Sequence, residues 1–191
     1  MNIIQSNIAK LPTKYGKFKI KAYKDGSQEH LAIMSQDFEL IDAPYVRIHS
    51  ECLTGDTLGS LKCDCQNQLD LSLKFISEHG GLVIYHRQEG RNIGLVNKIN
   101  AYALQDLGRN TIEANLELGF KEDERHYSIV GYIFEDLGIK TLKLITNNPE
   151  KLDYVKSLGV EIKERIPAIT NSNKYNEGYL ATKKEKMGHL L

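Results

Sequence analysis

A chain of 191 residues with 41% hydrophobic and 26% charged side chains has the composition of an ordinary globular protein with one sizeable core. Lysine plus arginine equals aspartate plus glutamate at 25 each, which leaves no overall basic field to hold nucleic acid by counterion release. No apolar run approaches the roughly 20 residues of a membrane-spanning helix, so a spanning segment is excluded.

The opening residues, Met1 to Asn7, lack a basic segment followed by an apolar run, which points to a cytoplasmic chain with reduced thiols. Lys17 to Tyr23 alternates polar and apolar positions, His30 to Met34 follows a Lys24-Asp25-Gly26 turn, and Tyr45 to His49 is a third strand. These predict a small antiparallel unit. After Cys65, Leu69, Leu73 and Ile76 recur at helical spacing, and Gly80-Gly81 ends that helix before the strand Leu82 to Tyr85. Ile93 to Leu107 is a helix closed by Gly108. Ile129 to Leu137 is a helix stopped by Gly138 before the strand Leu142 to Ile145, and Leu152 to Leu158 is stopped by Gly159 before Val160 to Ile162. Ala181 to Lys186 reads as a solvated terminal helix. The expected fold is therefore α/β with a mixed sheet, antiparallel at the start and covered by helices later, in a single domain over residues 1–191.

The whole cysteine complement falls within fourteen residues as Cys52, Cys63 and Cys65. Their polar neighbours speak against buried apolar packing, and a disulfide would leave one thiol over. A metal is the favoured reading. Structural zinc closes with four protein ligands whereas catalytic zinc keeps one position for water, so three thiols suggest bound water, with His49 the candidate to close the site otherwise.

The polar stretch His86 to Asn92 lies between a strand and a helix, where open α/β sheets bind ligands. Around Thr146 to Lys151, Asn148 would cap a helix starting at Pro149 and place free N–H groups and Lys151 about one point, a plausible phosphate seat. The run Asp123 to His126 is unassigned on its own.

Several motifs in order carry a family resemblance: Arg47 to Asp56, Lys62-Cys63-Asp64-Cys65, Tyr85 to Leu95, Asn115 with Leu118-Gly119-Phe120, and the closing Lys186 to Leu191. Together they resemble GTP cyclohydrolase II of riboflavin biosynthesis. The resemblance implies a zinc enzyme that opens the imidazole ring of GTP and releases formate and diphosphate. It implies zinc on Cys52, Cys63 and Cys65, whose water would attack guanine C8, and GTP on Arg47, Ile48, His49, Ser50, Glu51, Gln68, Glu89, Gly90, Arg91, Thr111, Thr146 and Lys151. It assigns Asp123 as proton acceptor and Arg125 as nucleophile, and sets Tyr102 near the reacting base. Spacing alone also allows Tyr102 as a core residue among Ile99, Ala103 and Leu107. Magnesium with the nucleotide and a homodimer are implied by the same resemblance.

A guanidinium with a pKa above roughly 12 must lose a proton to be a nucleophile, at a cost on the order of 7 kcal/mol at neutral pH. Arg125 is therefore read alternatively as a clamp on the α-phosphate, with water attacking. Three thiolates also leave a zinc centre net negative, so nearby cations should matter, with Lys62, Arg47 and Arg91 as candidates. The rival functions are a zinc-stabilised nucleotide-binding protein without turnover and a nucleic-acid-binding zinc module, which would want a fourth ligand and a basic surface.

Overall fold

A computed structural model describes residues 2–190, the side chains of Lys186 and Met187 excepted; Met1 and the last residue of the closing motif, Leu191, lie outside the described residues. The strands are β1 (Ile4–Gln5), β2 (Ala9–Thr13), β3 (Gly16–Asp25), β4 (Gln28–Ser35), β5 (Tyr45–Ser50), β6 (Gly81–His86), β7 (Thr141–Ile145) and β8 (Glu161–Ile166). The helices are α1 (Leu53–Asp56), α2 (Cys65–His79), α3 (Gly94–Asp106), α4 (Thr111–Glu117), α5 (Ser128–Asp136), α6 (Pro149–Ser157) and α7 (Glu177–Met187).

All strands join one sheet in the order β1-β3-β4-β6-β5-β7-β8, with β2 also on β3. Pairing is antiparallel from β1 through the β4–β6 contact, and parallel among β6, β5, β7 and β8. The expected mixed sheet is thus observed. Gly81 sits where β6 meets β5, and a Cβ there would lie 2.1 Å from the Tyr45 carbonyl oxygen, so only glycine permits that approach.

The period of two in β5 decides what faces what. Val46 and Ile48 point to a core closed by Ile129, Val130, Ile133 and Phe134 of α5 and Val155 of α6. Tyr45 packs on the opposite face with Leu73 and Ile76 of α2 and Val83 of β6. Arg47 and His49 alternate onto that α2 face, and they are 5% and 2% exposed. Two buried polar side chains next to a helix signal a site rather than a second core, since desolvating a cation without partners is costly.

The antiparallel pair β3 and β4, α2, α3, α5 and the later helix–strand pairs fall where the sequence placed them, but the third strand expected in the antiparallel unit, Tyr45 to His49, is β5 and pairs in parallel with β6 and β7. The terminal helix differs from expectation. It is longer than Ala181 to Lys186, and Lys183 on it is buried rather than solvated. Strands β1 and β2 and helices α1 and α4 were not foreseen. For α4 a signal exists, because Asn110 and Glu113 form a complete capping box.

Candidate functional site

The carboxyl ends of β5, β6 and β7 open into one cavity. One corner of it is built on sulfur. The Sγ atoms of Cys52, Cys63 and Cys65 all lie within 4.8 Å of one another, and Cys52 and Cys63 approach to 3.6 Å. Thiolates about 2.3 Å from a tetrahedral zinc stand about 3.8 Å apart, so the spacing suits that ion and is far too long for a disulfide. Gly55 leaves the room: a Cβ there would be 2.8 Å from Cys63 Sγ and 3.0 Å from Cys52 Sγ.

The cation bonded to the cluster is not among the expected ones, although of those Arg47 does act electrostatically on Cys65. Lys98 of α3, 8% exposed, donates to Cys52 Sγ at 3.1 Å and to Glu89 Oε1 at 2.7 Å. Lys62 instead pairs with Asp106 at 2.6 Å and lies over the Tyr102 ring. The thiols of Cys63 and Cys65, and then Lys98, pull the Cys52 thiol well below its ordinary value, while hydrogen bonding to Cys52 pushes Cys63 up to about 11. Asp56 anchors the corner from behind. It accepts from the Cys52 amide at 3.0 Å, from the Tyr85 hydroxyl at 2.8 Å, and from His49 Nε2 at 3.1 Å. His49 is thereby engaged with a carboxylate, and the metal-competent cluster among the described residues comprises the three thiols alone.

Glu89 and Gly90 belong to the polar loop after β6. Both Glu89 oxygens accept protein donors, Oε2 from Leu53 N at 2.6 Å and Oε1 from Gly90 N at 2.9 Å besides Lys98. Gly90, Arg91 and Asn92 have φ of 61°, 60° and 71°, a left-handed run that for non-glycine residues costs about 1–2 kcal/mol each. Its partners hold it in place: Arg91 Nη1 donates to the Glu122 carbonyl at 3.0 Å, Asn92 Nδ2 donates to that of Glu124 at 3.2 Å, and Glu124 N donates to the Arg91 carbonyl at 3.2 Å.

The opposite end of the cavity is cationic. Lys151 donates to the Ile48 carbonyl at 2.8 Å and to Ser50 Oγ at 3.2 Å, and burial pulls its pKa well down, helped by Arg125 and Arg47. Arg125 donates to Ser50 Oγ at 2.9 Å and forms a two-pronged ion pair with Asp123. Burial opposes its charge, yet Tyr127 and Asp123 outweigh burial and the guanidinium stays raised above its ordinary value. The cap expected at α6 is present, with Asn148 Oδ1 accepting from Glu150 N at 2.9 Å and Pro149 in the first turn. Thr146 Oγ1 accepts from Asn148 N at 3.1 Å and is part of the wall.

Arg47 lies between the two ends. Its guanidinium donates to the Ile145 carbonyl at 3.1 Å and to Gln68 Oε1 at 2.6 Å. Thr111, at the start of α4, and Ser50, Glu51 and Arg91 complete the contour. Ile48 is the exception among the expected nucleotide residues, for its side chain is in the core and only its carbonyl reaches Lys151. Asp123 backs Arg125 rather than lining the space. Tyr102 is not a core tyrosine: Ile99 and Leu107 are 47% and 74% exposed, and the Tyr102 hydroxyl bonds Thr54 at 3.2 Å on the thiol side. Sequence reasoning missed Lys98, Gly55, Asp56, Tyr179, Lys183 and His189.

The family model described as GTP cyclohydrolase II matches residues 5–167. A GTP cyclohydrolase-2 of Campylobacter fetus is 59% identical over all of this chain and 97% of its own length. That of Campylobacter hominis is 57% identical with the same coverage, and that of Helicobacter pylori 54% identical over 97% of each chain. Among solved structures, a two-domain 3,4-dihydroxy-2-butanone 4-phosphate synthase from A. baumannii is similar over 88% of this chain and 40% of its own, at 16% identity and a TM-score of 0.43, a likeness that carries no argument. A family model matched over residues 5–167 and identity above half across the whole chain leave one conclusion: the chain belongs to the GTP cyclohydrolase II family.

Proposed function

We propose that this chain is a zinc-dependent hydrolase that opens the imidazole ring of GTP in the first step of riboflavin biosynthesis. It would release formate and diphosphate and leave 2,5-diamino-6-(5-phosphoribosylamino)pyrimidin-4(3H)-one. The observation that carries the reading is one cavity with a three-thiol corner at one end and buried cations at the other. A nucleotide is bipolar in that sense. Its base can meet the metal while its phosphates meet Lys151, Arg125 and Arg91, held about the α6 terminus with Thr146.

In this reading Cys52, Cys63 and Cys65 hold the zinc, which when bound supplies an acidified water at the base. Lys98 offsets the negative charge that three thiolates leave, and Glu89 fixes Lys98 and the Leu53 amide. Tyr102, tied through Thr54 to the thiol side, orients the base. Arg47 to Glu51, Gln68 and Thr111 wrap the nucleoside between the two ends. Arg125 is the α-phosphate clamp rather than the nucleophile, because Asp123 favours its charged form and a charged guanidinium has no lone pair to offer. Magnesium enters with the triphosphate, whose oxygens are the hard ligands it prefers. A homodimer, a single domain over 1–191 and a cytoplasmic location complete the proposal.

The test is to incubate zinc-loaded protein with GTP and magnesium and quantify formate and diphosphate together. Equal yields support the reading. Diphosphate without formate would refute the ring-opening step, and binding without either product would leave the alternative, a zinc-stabilised nucleotide-binding protein.

A further inference from the structure

Helix α7 and the chain after it lie beyond the matched residues 5–167, yet Tyr179, Lys183 and His189 wall one side of the cavity. Lys183 makes the connection. Its Nζ donates to Asp64 Oδ1 at 2.9 Å, the other Asp64 oxygen accepts from Gln68 Nε2 at 2.5 Å, and Gln68 Oε1 accepts from Arg47 Nη2 at 2.6 Å. None of the four residues is more than 9% exposed, so water does not substitute for any member.

A glutamine amide can be placed either way round, and its partners decide. Asp64 accepts from Nε2, which leaves Oε1 to face the guanidinium. Lys183 occupies the second Asp64 oxygen and supplies the counter-charge that a carboxylate 1% exposed requires. The end of the chain is anchored as well: His189 N donates to the Lys183 carbonyl at 3.0 Å, and Leu190 N to the Asn147 carbonyl at 2.9 Å, beside Thr146. Asp64 itself stands between two of the clustered thiols in sequence.

We propose that Lys183 is a positioning residue of the nucleotide site, which through Asp64 and Gln68 sets the direction of the Arg47 guanidinium and makes α7 a wall of that site. The inference rests on the reading that this cavity takes GTP. A helix that merely packs at the end of the chain would have no need of a buried lysine on a carboxylate that leads to Arg47. The alternative role for such a pair is structural glue, and the two roles separate in kinetics.

The experiment compares zinc-loaded wild type, Lys183→Met and Lys183→Arg for GTP dissociation constant, for KM and kcat from formate release, and for melting temperature. Lys183→Met should raise Kd and KM roughly tenfold, the loss expected for a charged hydrogen bond, with kcat changed less. Lys183→Arg should return both close to wild type and melt near it, whereas Lys183→Met should melt lower, because Asp64 loses its counter-charge, while staying folded at the assay temperature. Unchanged Kd and KM in Lys183→Met would overturn the inference, as would a fall in melting temperature that accounts for the loss and that Lys183→Arg shares. Should Lys183→Met fail to fold, Lys183→Gln, which keeps a donor without the charge, carries the same comparison. Wild type that binds GTP without releasing formate refutes the catalytic reading and leaves the Kd comparison to decide this one. Wild type that does not bind GTP overturns both.

Discussion

Replacing Gly55 by alanine sets a backbone gain against a steric loss at the thiol corner. Gly55 lies inside α1 with no left-handed φ, so alanine should favour the helix by roughly 0.5–1 kcal/mol. The new Cβ would sit 2.8 Å from Cys63 Sγ, 3.0 Å from Cys52 Sγ and 3.1 Å from Cys65 Cβ. Against ordinary contact near 3.5 Å, the overlap is about 0.7 Å at Cys63 and about 0.5 Å at Cys52. Overpacking of that kind costs about 1–3 kcal/mol, so the steric term wins. It wins by more with metal bound, because ligand distances tolerate only about 0.2 Å and pinned sulfurs cannot move aside. We expect Gly55→Ala to lose at least about tenfold in zinc affinity, measured by competition with a chromophoric chelator, while the metal-free protein melts within a few degrees of wild type. Wild-type zinc affinity in the variant would refute the placement of Gly55 against the sulfurs.

Lys98→Met should raise the pH at which the first thiol of the metal-free protein ionises, because of the groups that favour the Cys52 thiolate the neighbouring thiols remain and the cation is gone; thiolate absorbance near 240 nm reads it, and an unmoved midpoint would count against the contact. Single-turnover reaction of one α-phosphorothioate diastereomer of GTP in 18O-labelled water should give product inverted at phosphorus if Arg125 is a clamp and water attacks directly; because water supplies the new oxygen on either route, it is retention that would sink direct attack and favour a covalent arginine intermediate. Burial depresses His30 to about 4 and His86 to about 2, so below their ordinary value the unfolded chain holds more protons than the folded one and stability falls as pH falls. Between pH 6 and 4 His86→Phe, which keeps the ring stacked between His30 and Tyr127, should remove about one proton from that slope, or about 1.4 kcal/mol per pH unit; urea midpoints across the range that keep the wild-type slope would refute it.

Much of this site is legible in the sequence because its chemistry is concentrated in short runs. Cys63 and Cys65, and the loop from His86 to Asn92, have no apolar periodicity to disguise them. The cap at Asn148 is legible because proline follows it. Lys98 and Lys183 are hidden for the opposite reason. A lysine within an amphipathic pattern reads as a solvated position, and only the turning of α3 over the thiols and of α7 over Asp64 buries it. Asp56 and Gly55 are likewise ordinary in α1 until the fold brings Tyr85, His49 and three sulfurs around them. Long-range partners such as Arg125 with Ser50 leave no trace in local spacing.

The left-handed run at Gly90, Arg91 and Asn92 bears on how the molecule breathes. Two of its residues are under backbone strain, and the bonds that hold them reach to Glu122 and Glu124, on either side of Asp123. Any fluctuation that lets the loop relax must therefore release the segment carrying Arg125 in the same event. The amides of Asn92 and Glu124 should exchange with solvent deuterium as one cooperative unit, at a free energy below that of global unfolding. Thiol corner and cationic corner would then open together, so a substitution that loosens one end of the cavity will be felt at the other.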